Sequence, residues 1–210
     1  MSSLALVHTV VVRVWLPDRP GALGQVASRI GAVKGDVLGI EILEMGGGRV
    51  IDELVVALPD DTLLELMVNE VHAIDGVSVE HVRPVTGDRS DGGLLALALA
   101  AELAETDRAA RVGFMVEGVA RLTEAEWVLV VRGNEPIGVM GETPPAEWIT
   151  SLLAGSRHLG DPHATSSDMF WADLPTSGLW IAAGRVGRPV HDRERVRLDL
   201  FARIADTLLA

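Results

Sequence analysis

The chain contains no cysteine, which excludes disulfides, thiolate catalysis and cysteine-ligated zinc. Lysine occurs once, at Lys34, and arginine carries nearly all of the positive charge. The formal net charge is −12, which opposes a general electrostatic attraction to nucleic-acid backbones or anionic membranes. Long apolar runs are missing: the longest, Leu94 to Ala101, falls far short of the roughly 20 residues a membrane span needs. Met1 to Leu6 lacks the basic stretch of a secretory signal, so the expectation is a cytoplasmic protein without membrane or nucleic-acid partners. No nucleophile elbow, phosphate loop, dinucleotide fingerprint or HExxH pair occurs. Ser28, Ser151 and Ser156 fall in helix-patterned stretches without an adjoining His/Asp frame. A non-enzymatic protein is expected, with no catalytic residue, cofactor or resident metal.

What is present is apolar material for packed cores. Hydrophobic residues make up 48% of the 210, enough for two small domains. The first half is organised around Leu16-Pro17-Asp18-Arg19-Pro20-Gly21-Ala22-Leu23, which closes a β-patterned run and opens a helix-patterned one. Pro20 has the fixed φ of a first helical position, and Gly21 leaves backbone N–H groups near a helix N-terminus open to an anion. Asp18 is placed to take an ammonium group, so a zwitterion fits both ends of the turn.

Val10, Val12, Val14 and Leu16 alternate on one face of the strand before this turn, with Thr9, Val11, Arg13 and Trp15 on the other. That second face is half apolar and is expected to pack on another domain or subunit, with Trp15 at its centre. Leu23, Val26, Ala27 and Ile30 recur at helical spacing after the turn. Strands follow over 37–45 and 49–58, joined by Gly46-Gly47-Gly48, and Leu63, Met67, Val71 and Ile74 form a second helical stripe. Val77, Val79 and His81 alternate in a last strand. The order βαββαβ is the ferredoxin-like arrangement, with both helices on one face of an antiparallel sheet.

On the turn, the Gly35-Asp36-Val37 entry to the second strand and the Arg49-Val50-Ile51-Asp52 opening of the third, residues 1–85 resemble the ACT domain, a regulatory module that commonly binds amino acids. The resemblance implies an effector held between two modules, by the turn of one and the start of the second strand of its neighbour. It implies a ligand set of Leu16, Asp18, Arg19, Pro20, Gly21, Ala22, Leu23 and Val37, with Asp18 in place of the family's Asn/Asp and Gly21 to Leu23 offering backbone amides. Leu16 and Val37 are apolar where members often carry polar groups, which points to a more apolar effector or to a structural module.

Residues 86–93 are polar and glycine-rich and read as a linker to a second domain at 94–210. Helical stretches are expected over 94–105 and 107–122, the second with Val112, Met115 and Val119 on its core face and Phe114 packed nearby. A hairpin follows over 127–141, then a helix from Thr143-Pro144-Pro145 through Trp148, Ile149, Leu152 and Leu153, short strands over 169–173 and 179–184, and a helix over 192–209. In that last helix Val196, Leu200, Ile204 and Leu208 repeat every four residues and are expected to dock on the domain. The element order, with blocks such as Glu126-Trp127-Val128-Leu129-Val130-Val131, resembles a GAF-like α/β domain with an antiparallel sheet. The whole is therefore α+β.

The expected function is a regulator that binds an amino acid or similar metabolite and couples it to a homodimer or domain arrangement. Two alternatives stand beside it. His8-Thr9 and the Pro-Gly turn resemble the small subunits of acetolactate synthase, implying a regulatory subunit of a separate amino-acid biosynthetic enzyme. The other is a metal-dependent enzyme using the loop of His158, Asp161 and His163, with Asp168, the only close cluster of potential metal ligands, although the loop's polar composition favours plain solvation.

Overall fold

The computed structural model describes residues 8–85, 91–156 and 168–210. Contacts divide the chain into two units, 1–89 and 90–210. The chain is α+β, with one four-stranded antiparallel sheet in each unit. Among the described residues no helix is long and apolar enough to cross a membrane.

The N-terminal unit runs β1 (His8–Pro17), α1 (Ala22–Ala32), β2 (Asp36–Gly46), β3 (Arg49–Leu58), α2 (Leu63–His72) and β4 (Ser78–Pro84). The sheet order β2-β3-β1-β4 is the ferredoxin-like arrangement expected from the element order. Gly47 and Gly48 both take positive φ, which suits the two-residue turn joining β2 to β3. Alternation places Val10, Val12, Val14, Leu16, Val50, Leu54, Val56 and Leu58 in one core with Ala22, Val26 and Ile30 of α1 and Met67 and Val71 of α2. Both helices therefore cover the same face. That cover ends at the edge strand β2, where Leu38, Ile40, Ile42 and Met45 stay exposed.

The C-terminal unit runs α3 (Gly92–Glu105), a single 3₁₀ turn (Arg108–Ala110), α4 (Arg111–Thr123), β5 (Trp127–Arg132), β6 (Glu135–Met140), α5 (Ala146–Ser156), β7 (Met169–Leu174), β8 (Leu179–Gly184) and α6 (Asp192–Leu209). Asp91 caps α3, its carboxylate accepting from Gly93 and Leu94 N–H groups. Strand order is β6-β5-β8-β7. Leu99, Leu103, Met115, Val119, Leu198 and Phe201 pack one face of this sheet, while Ile149 and Leu153 of α5 pack Leu129, Val131 and Ala182 on the other.

The orientation of α6 corrects the sequence-based expectation. Leu198, Phe201, Ala202 and Ala205 face the core, together with Glu194 and Asp206, whereas Val196, Leu200 and Ile204 point outward. Two acidic residues reach the core side because partners wait there. Glu194 Oε2 lies 2.7 Å from the buried Arg185 Nη2, and Asp206 accepts from Thr176 N, Ser177 N and Ser177 Oγ at 2.8 to 3.0 Å. Arg185 also donates to the carbonyls of Thr123 and Pro189. These bonds satisfy charges that would otherwise be costly to bury.

Candidate functional site

The turn between β1 and α1 is held from both sides. Asp18 N–H donates to Gly48 O at 2.9 Å, tying it to the β2–β3 hairpin, and Arg19 N–H donates to Pro17 O at 2.8 Å. Gly21 occupies the N-cap position with φ 85° and ψ −7°, and as a glycine it brings no side chain to cap the helix. Ala22 N–H is taken by Arg19 O at 3.2 Å. Helix geometry leaves the next first-turn amides, Leu23 and Gly24, without an intrahelical acceptor, beside a partial positive charge. Free first-turn amides of this kind are the groups on which helix ends accept an anion.

The expected ligand set divides in three. Asp18, Arg19, Pro20 and Gly21 are exposed at the turn, and Leu23 is half-buried. Leu16 and Ala22 belong to the core, so only their backbone faces outward chemistry. Val37 stands apart: it pairs with Val56, which pairs with Val10, and Leu16 lies six residues further along β1. At the rise of a strand that is about 20 Å from the turn. One chain therefore does not bring Val37 to its own turn, and Val37 packs against its own core.

Beside the turn, a groove of about 500 Å³ runs along the exposed face of α1 toward the end of α2. Gly21, Gln25, Ser28 and Arg29 line one wall, and Ile74 and Asp75 the other. Arg19 Nη2 donates to Gln25 Oε1 at 3.1 Å, and Arg29 pairs with Glu70 at 2.8 Å. Sequence reading missed Gln25, Ser28 and Arg29, although they follow Gly21 at helical spacing on its exposed side.

It also missed Asp52. Asp52 pairs in register with Val14 on one side and Ile42 on the other, on the helix-covered face of the sheet. It is 2% exposed, and its Oδ1 is buried with no hydrogen-bond partner. Burial raises its pKa above the ordinary aspartate value. The signal was parity: Val50, Leu54, Val56 and Leu58 fill the same face at period two, which places Asp52 among them.

The opposite face of the sheet carries Thr9, Val11, Arg13 and Trp15, as their alternation predicts. Val11 and Ile51 are buried, and Arg13 Nε donates to Glu53 Oε2 at 2.6 Å with both side chains buried. Trp15 is half-buried, its indole N–H donating to Glu80 Oε1 at 2.9 Å and the Arg49 guanidinium lying 5.3 Å from the ring centroid. In the C-terminal unit a second open groove, about 560 Å³, lies between Asn134, Thr150, Ser151 and Trp180, with Thr150 Oγ1 donating to Asn134 Oδ1.

His158, Asp161 and His163 lie outside the described residues, as do residues 86–90 of the expected linker. Among the described residues no group of three or more His, Asp or Glu side chains is placed to hold a metal ion.

No protein-family model matches the sequence, and no curated protein matches it. Among solved structures, the ACT domain from GTP pyrophosphokinase of Chlorobium tepidum is similar over 40% of this chain and 91% of its own, at 14% identity and a TM-score of 0.31. An uncharacterized protein from Thermotoga maritima is similar over 38% of this chain and 99% of its own, at 20% identity and a TM-score of 0.31. An unknown protein from Galdieria sulphuraria is similar over 85% of this chain and 80% of its own, at 16% identity and a TM-score of 0.33. At these values the likenesses assign neither a family nor an activity.

Proposed function

We propose that this protein is a non-enzymatic regulator whose N-terminal unit is an ACT-like module binding an amino acid or similar small zwitterion. The observation that carries the reading is the uncapped N-terminus of α1, opened by Gly21 at positive φ and set in a turn anchored to the β2–β3 hairpin. A ligand carboxylate sits on the first-turn amides of α1. Val37, remote from the turn of its own chain, joins the site from a second copy, which makes the functional unit a homodimer with effector between its modules. The exposed apolar residues of edge strand β2 support that pairing.

The mechanism is a population shift. Effector favours the dimer or domain arrangement that completes its site, and coupling energies of this kind are typically about 1–3 kcal/mol. The C-terminal unit, GAF-like in its element order, relays or co-senses the signal. Thermal-shift measurements with each of the twenty amino acids test the reading: at least one raises the melting temperature, and stabilisation by none of them overturns it.

A second reading makes the protein a regulatory subunit of a separate enzyme. The outward stripe of Val196, Leu200 and Ile204 on α6 favours it, since an apolar helix face gains from a protein partner. Co-purification of a stoichiometric large partner with the wild type, lost on L200E, separates this reading from the first.

A further inference from the structure

Asp52 is the one described residue with a fully buried side-chain polar atom left without a hydrogen bond. Such atoms are rare in folded proteins, because a buried acceptor without a donor forfeits its water contacts for nothing. The neighbouring position shows the usual solution: Glu53, on the other face of the same strand, is buried and receives Arg13 Nε. No structural task explains an acid at 52, since its face otherwise carries Val50, Leu54, Val56 and Leu58, and valine or leucine would continue the core.

The position also lies beside the open edge of the sheet. Its register partner toward the interior, Val14, is fully buried, but its partner toward the edge, Ile42, is 45% exposed. Ile40, one pleat away on the same strand face, is exposed as well. The carboxylate therefore stands one strand in from an open apolar edge. It lies two residues from Val50, which pairs with Leu16 at the base of the turn.

We propose that Asp52 is the cation-recognising residue of the ligand site, its free Oδ1 accepting from a primary ammonium group that enters over Ile40 and Ile42. The inference rests on the reading of an amine-bearing effector and goes beyond it by moving the ammonium partner from the exposed Asp18 to the buried Asp52. The physical ground is solvation. Water screens a pair formed at Asp18, whereas a donor-only cation at Asp52 meets an acceptor already stripped of water. An apolar substituent on the ligand would rest on the isoleucines, in keeping with the apolar Leu16.

The test uses the full chain and two readouts. In carbon-detected NMR, isobutylammonium chloride shifts the Asp52 carboxyl resonance, and sodium 3-methylbutanoate, the same isobutyl group with the opposite charge, does not. In calorimetry with the twenty amino acids, the one that binds the wild type loses about tenfold or more in affinity in D52N, the scale expected for a desolvated charge contact, and stays within about threefold in D18N. D52N and D52V both melt above the wild type, because neither retains an unpaired buried charge. An Asp52 resonance indifferent to isobutylammonium, unchanged affinity in D52N, or lower melting temperatures in both variants overturns the proposal. If no amino acid binds yet isobutylammonium moves the Asp52 resonance, the amino-acid reading falls and the cation site stands. If an amino acid binds wild type and D52N alike, the reverse holds.

Discussion

Arg13 and Glu53 stand directly opposite each other across β1 and β3, with Arg13 Nε 2.6 Å from Glu53 Oε2 and both side chains nearly sealed from solvent. The same row of the sheet continues to Glu41 on β2 and His81 on β4. Removing the arginine alone leaves a buried carboxylate beside a second acid. R13M is expected to destabilise the N-terminal unit by about 3–5 kcal/mol, while R13M/E53M recovers most of the loss. Urea unfolding of the two variants checks this, and a loss in R13M no larger than that of an exposed pair would show that the contact holds nothing.

Gly21 carries the second prediction. A Cβ there meets no atom within 4 Å, so space is not the obstacle, but φ of 85° is a conformation L residues adopt at a cost. G21A should lose about 1–2 kcal/mol of stability, or shift the turn and weaken effector binding. A companion G24A, at a helical position equally free of neighbours, should be neutral or slightly stabilising. Equal behaviour of the two variants in thermal unfolding would count against the strained turn.

The ferredoxin-like unit was legible because its two periodicities are clean: period two in Val10 to Leu16 and Val50 to Leu58, and period 3.6 in Leu63 to Ile74. The helix α6 was not. Val196, Leu200 and Ile204 form a tidier apolar repeat than the face that docks, because the docking face includes Glu194 and Asp206, whose partners Arg185, Thr176 and Ser177 lie in turns outside the helix. Pattern reading scores polarity and cannot see a satisfied charge. The candidate site divides in the same way. The turn was visible as a local motif, but the distance of Val37 from it follows from strand register, and the unpartnered oxygen of Asp52 from burial in three dimensions.

Trp127 and Gly184 form a register pair between β5 and β8, and a Cβ built on Gly184 would fall 2.5 Å from three atoms of the indole. The glycine is needed for that close approach. G184A should cost about 1–3 kcal/mol by overpacking, and W127A/G184A should cost less than the two single losses added together. Chemical denaturation of the three variants measures the coupling.

Asp206 gives a pH signature of defined sign. Burial pushes its pKa up, but the N–H groups of Thr176 and Ser177 and the Ser177 hydroxyl outweigh this and hold it below the ordinary value. A carboxyl lowered in the folded state adds stability that is fully present above the unfolded value, about 3.9, and is lost as pH falls through the folded value. D206N should therefore destabilise by about 1–3 kcal/mol at neutral pH, with the difference shrinking below about pH 4.

Asp52 should behave in the opposite sense in the absence of ligand. Its pKa is raised by burial, so its ionisation penalises the fold above the raised value, and the penalty disappears as pH falls to the unfolded value near 3.9. D52N mimics the protonated acid and should be more stable than the wild type at neutral pH, by about 1–3 kcal/mol, because it removes the charge whose burial is penalised. That advantage should fade as acid protonates the wild-type carboxyl, so the two melting curves converge near pH 4 while those of D206N and wild type converge from the other side. A D52N variant less stable than wild type across the whole range would mean that Asp52 has a partner in solution, and its oxygen would then be unavailable to an ammonium ligand.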